Sequence, residues 1–168
     1  MPHTAALPFT LKRSQDVLGA GSITTTTETV HGLLRLDGDR LVIQWRLARK
    51  TDHIGSEIRT DREYEAVKEV VLPLEIVAGA QVRRSLWRVF GGPRMVLTAA
   101  DLQAFEEVAG EGGLRLKHPA ELVVRIRRSD RMLAEEFSAE LALAVAERAL
   151  EAYQKRSLAQ ETRGSLPE

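Results

Sequence analysis

The sequence predicts a mainly β (α+β) domain: a seven-stranded antiparallel sandwich or partial barrel capped by a long C-terminal α-helix. Three observations predict it. Between residues 30 and 128, short apolar and β-branched runs are separated by glycine- and proline-bearing turns. Leu41, Ile43, Trp45 and Leu47 alternate with Val42, Gln44, Arg46 and Ala48, the period of two that marks a half-buried strand. Residues 130–155 are alanine-rich and hold neither glycine nor proline, which suits one uninterrupted helix.

Residues 1–29 read as an N-terminal arm or strand. Within them, 8–12 suits a short strand, 19–22 a loop, and the threonine run 24–27 either a strand or a solvated linker. Residues 30–36 and 40–49 form a hairpin across Asp37-Gly38-Asp39, where glycine supplies the positive φ that tight turns need. Residues 50–66, the most polar internal stretch, read as a long exposed loop. Residues 67–77 place Val70, Leu72, Leu74 and Ile76 on one face, with Pro73 marking an edge or a bulge. Strands 81–90 and 94–98 flank the turn Gly91-Gly92-Pro93, and 101–108 suits one or two helical turns. Strands 114–118 and 121–128 follow. Ser129 or Asp130 then caps the helix. One domain spans 30–155, and 156–168 is a polar tail expected to be flexible.

Composition narrows the function classes. Lys plus Arg and Asp plus Glu balance at 24 each, which disfavours nucleic acid, since phosphate binding is driven by positive charge. Cysteine is absent, removing disulfides, thiolate metal ligands and thiol nucleophiles together. Residues 1–10 lack the basic and apolar segments of a signal peptide. No run approaches the roughly 20 apolar residues of a membrane span. A cytoplasmic location is the expectation.

The element order resembles that of bacterial pleckstrin-homology-like (PH-like) domains. The motifs that carry the resemblance are Gly32-Leu33-Leu34-Arg35-Leu36, Val71-Leu72-Pro73-Leu74-Glu75-Ile76, Ala100-Asp101-Leu102 and Arg128-Ser129-Asp130-Arg131. It implies a binding scaffold for protein segments or phosphoinositide head groups rather than an enzyme. The acidic first turn, Asp37 and Asp39, departs from the lysine- and arginine-rich hairpin of the phosphoinositide readers.

Catalysis requires a converging nucleophile, base and charge stabiliser, or a metal. His3, His31, His53 and His118 share no ligand spacing, and His53 with Asp52, Glu57 and Asp61 lacks the calcium-loop pattern. No cofactor or metal is therefore expected; an enzyme would need a pocket the sequence does not reveal. Two surfaces stand out instead. Arg83, Arg84, Arg88, Arg125 and Arg127 form an anion-binding stripe if their strands are neighbours, suited to weak contact with an anionic membrane surface. In the helix, at 100° per residue, Leu133, Phe137, Leu141, Ala144, Val145 and Ala152 share one side. Met132, Ala139, Leu143, Ala146, Leu150 and Tyr153 share nearly the opposite side, with Glu136, Glu140, Glu147 and Glu151 along one flank. Either the arm (Leu7, Phe9, Leu11) or the polar loop covers this second stripe, or a partner helix does, most simply from a second copy. A protein partner or homo-oligomer is the expectation.

Overall fold

A computed structural model describes residues 6–19, 21–55, 57–83, 92–109, 116 and 118–164. The strands are β1 (Leu7–Gly19), β2 (Ser22–Asp37), β3 (Arg40–Ile54), β4 (Ile58–Tyr64), β5 (Lys68–Pro73), β6 (Val77–Arg83), β7 (Arg94–Ala99) and β8 (Glu121–Arg125). The helices are α1 (Glu106–Ala109) and α2 (Arg131–Gly164). One antiparallel sheet runs β4-β3-β2-β1-β8-β7-β6, and β5 also pairs with β3. The sheet is not closed into a barrel, and α2 caps it.

Alternation builds the core. Leu7 pairs with Leu34, Leu34 with Ile43 and Ile43 with Val70; directly opposed residues of antiparallel strands share a face, and all four are buried. Met95 and Leu97 of β7 and Leu122 and Val124 of β8 turn their side chains into the same core. β1 meets β8 through Thr10 and Arg125, and at that join the half built from β1–β5 passes into the half built from β6–β8. α2 contributes Ala134, Phe137 and Leu141, all buried, with Leu133, Ala144 and Val145 partly buried beside them. Ser138 Oγ donates to the Ala80 carbonyl at 2.7 Å, and Arg148 pairs with Asp39 in the β2–β3 turn and with Glu75. Ala152, expected on this side, is exposed because α2 has run past the sheet by then.

Several elements differ from expectation, each for a physical reason. The N-terminal arm is a full strand: β1 pairs with β2 along its whole length, and Leu7 and Phe9 enter the core. Residues 50–66 are not a loop. β3 continues to Ile54 and turns back through β4, and polarity reflects water on both faces rather than the absence of a strand. An ion ladder crosses this part of the sheet: Arg13 holds Glu28, Arg49 Nε reaches Glu28 at 3.2 Å, and Arg49 Nη1 reaches Glu63 at 3.2 Å. Glu28 first, then Glu63, hold the Arg49 guanidinium above its usual pKa. From residue 12 to 29 and from 48 to 64 no described side chain of β1–β4 is buried, so these strands form a single-layer wing.

The stretch 67–77 breaks at Pro73: β5 ends there, residues 74–76 make a 3-10 turn, and β6 begins at Val77. Proline lies on an edge strand, as its missing N–H requires. β6 stops at Arg83; the rest of the expected strand 81–90, Arg84 to Phe90, lies outside the described residues. So does most of 114–118, where His118 makes an isolated bridge to Glu121. β8 ends at Arg125 rather than 128, because residues 128–130 form a 3-10 turn leading into α2. α2 continues past residue 155 to Gly164, making helix of most of the expected tail.

Candidate functional site

Among the described residues none lies across the outward stripe of α2. Met132 is 82 %, Leu143 61 %, Leu150 58 % and Tyr153 71 % exposed, and Ala139 and Ala146 are exposed between them. Neither proposed cover lies across it. Leu7 and Phe9 of β1 are in the core, with Leu11 packed against it, and the former loop is paired with β3. The spacing of Ala139, Leu143, Ala146, Leu150 and Tyr153 is four, three, four, three, the heptad spacing of a helix–helix seam. Arg148 bonds Glu151, Asp39 and Glu75, which raise its guanidinium pKa, Glu151 foremost. These bonds fix the opposite side of the helix to the sheet, so the stripe points away from it.

A second surface crosses the sheet. Arg83 pairs with Arg94, Arg94 with Arg125, Arg125 with Thr10, Thr10 with His31, and His31 with Arg46. Six positions in one row, five of them basic, thus share the face turned away from the core. Of the arginines singled out from sequence, Arg83 and Arg125 stand in this row. Arg127 lies two residues beyond Arg125. Arg84 and Arg88 lie outside the described residues. Spacing along the chain leaves Arg94, His31 and Arg46 out of the stripe, because only strand register brings them together.

At one end of the row a shallow open depression of about 410 Å³ is lined by Thr10, His31, Arg46 and Arg127 beside Pro8, Leu33 and Val67. Arg46 stacks over the Tyr64 ring, 5.2 Å from its centre. Among the described residues the side chains of Arg83, Arg94, Arg125 and Arg127 make no ion pair. In this row and the rows on either side, the one carboxylate on that face among the described strand residues is Glu69, which Gln44 holds.

The histidine and acidic residues of the wing are used locally. His53 Nδ1 faces Thr24 Oγ1 at 3.2 Å and His53 Nε2 stands 3.6 Å from Asp61. Asp52 is bound by Lys50 and Thr60, both at 2.7 Å. Among the described residues no three metal-ligating side chains converge, and no helix is long and apolar enough to cross a membrane. Compared with known proteins, the chain matches no protein-family model, no curated protein and no solved structure.

Proposed function

We propose that the protein is a non-catalytic assembly module of PH-like type, acting in the bacterial cytoplasm, that joins a second copy of itself through the outward stripe of α2. One observation carries this reading: a heptad-spaced apolar seam, uncovered by any of the described residues, lies along a helix whose other side is already packed. Large exposed apolar patches on a folded domain are contact sites, and a seam of this spacing fits another helix. The PH-like assignment is supported by element order. β4 and β5 both run along β3 and count as one interrupted strand, which leaves seven strands and a closing helix.

Leu143 and Leu150 repeat at one seam position and Ala139, Ala146 and Tyr153 at the other; Glu140 and Glu147 flank one side, and Glu135, Ala142, Ala149 and Arg156 the other. A parallel, in-register pair sets each leucine against its own copy, whereas an antiparallel pair sets the Glu140–Glu147 flank against itself. Because the chain has no cysteine, Leu150→Cys introduces a unique thiol that a parallel, in-register pair brings against its own copy. Light scattering should give a dimer for the unaltered protein, and oxidation of the variant should give a disulfide-linked dimer. A monomer at high concentration, with no cross-link, overturns the reading.

A further inference from the structure

We propose that the basic row and the depression at its end bind a soluble ligand carrying a short chain of phosphates. The first ground is electrostatic. Like charges directly opposed across antiparallel strands destabilise the pair, yet Arg83, Arg94 and Arg125 are opposed in succession. Arg13, Arg49, Arg131 and Arg148 each sit beside a carboxylate. Among the described residues, the arginines of the row have no such partner, and they stand in opposed positions on neighbouring strands. A polyanion lying across the strands supplies the missing counter-charge, and guanidinium forks suit phosphate oxygens.

The second ground is shape. Arg46, Arg127 and His31 meet around Thr10 at a concavity whose remaining wall includes Pro8, Leu33 and Val67. Its volume of about 410 Å³ falls within the range of small-molecule sites. Leading away from it, Arg125, Arg94 and Arg83 follow at successive strands, about 4.8 Å apart, and their long side chains can converge on a short chain of phosphates laid across the strands. A bilayer plane fits less well: the basic groups gather at a depression, and Asp37 and Asp39 stand at the hairpin end of the same sheet. This site is separate from the α2 seam and does not rest on self-association.

Titration calorimetry at constant ionic strength, with phosphate, pyrophosphate, tripolyphosphate and a nucleoside triphosphate as probes, tests the assignment. Affinity should rise with each added phosphate. Arg94→Thr should weaken tripolyphosphate about tenfold, the scale of one lost charge-assisted hydrogen bond, while raising the melting temperature of the unliganded protein by relieving repulsion. Arg46→Gln with Arg127→Gln should weaken every probe, and Arg59→Gln, in the wing, none. Tighter binding of the nucleoside triphosphate than of tripolyphosphate assigns the depression to an organic body; equal affinity assigns the ligand to the inorganic chain. No binding beyond that of sulfate, equal loss with Arg59→Gln, or binding to anionic vesicles without binding to soluble phosphates overturns the proposal.

Discussion

Gly32 shows how one missing side chain sets the packing of two strands. A Cβ at this position would lie 2.1 Å from Phe9 Cζ, so the ring of Phe9 occupies the space a side chain on β2 would take. Gly32→Ala should therefore cost about 1–3 kcal/mol by overpacking, and Phe9→Ala about 3–5 kcal/mol by lost burial and a cavity. Denaturant unfolding of the double variant should show a cost below the sum, because deleting the ring removes the clash; strict additivity would refute the contact. Asp52 gives a second prediction. Hydrogen bonds from Lys50 and then Thr60 hold its carboxyl below the usual carboxylate range. A depressed folded-state pKa contributes stability that is present above the unfolded value and lost as pH falls through the folded one. Thr60→Val should raise the Asp52 pKa in an NMR titration and lower stability at neutral pH, a loss that vanishes as pH falls through the folded-state pKa. Neither contact was legible in sequence: Gly32 reads as one residue of a strand motif and Asp52 as part of a loop.

Elements separate the two sides of α2. Truncating Phe137, which is 1 % exposed, should cost about 3–5 kcal/mol whether the protein is alone or paired. Leu143→Glu with Leu150→Glu should leave folding intact and yield a smaller species by light scattering, since water tolerates charge where a partner helix would not. Loss of folding in that pair would place the stripe in a core instead. Helical periodicity made both sides of α2 legible, because a single helix carries the whole pattern. The wing was illegible for the opposite reason: strands wet on both faces show no alternation of apolar and polar residues. Its ion ladder offers a handle. Glu28, whose side chain is 12 % exposed between Arg13 and Arg49, should on replacement by Gln lose about 1–2 kcal/mol of local stability. Faster amide exchange in β3 and β4, with the core strands unaffected, is the expected readout.

At the scale of the molecule, fold class followed from sequence because turns, alternation and one long helix each leave local marks. Register did not, since Arg83, Arg94, Arg125, His31 and Arg46 become neighbours only once five strands are aligned. The same limit explains why the arginine stripe drawn from sequence ran along strands, whereas the one in the structure runs across them. α2 supplies a further test at this scale. Arg148 ties α2 to Asp39 and Glu75, and residues 149–160 are exposed. Removing residues 149–168 should change unfolding free energy by no more than about 0.5 kcal/mol, as for changes remote from a core, while abolishing the dimer. A large loss of stability would mean that the distal helix folds back on the domain.

The single-layer wing has a calorimetric consequence. Unfolding a two-layer domain raises heat capacity because buried apolar surface meets water, whereas newly wetted polar surface lowers it. The wing has little of the first to expose and much of the second, in its backbone and its ladder of charged side chains. The heat-capacity increment of the whole chain should therefore fall below the roughly 2 kcal/mol/K that 168 residues of average composition would give. A smaller increment flattens the dependence of stability on temperature. The protein should accordingly lose stability gently on both warming and cooling, with a broader working range than its modest core alone would suggest.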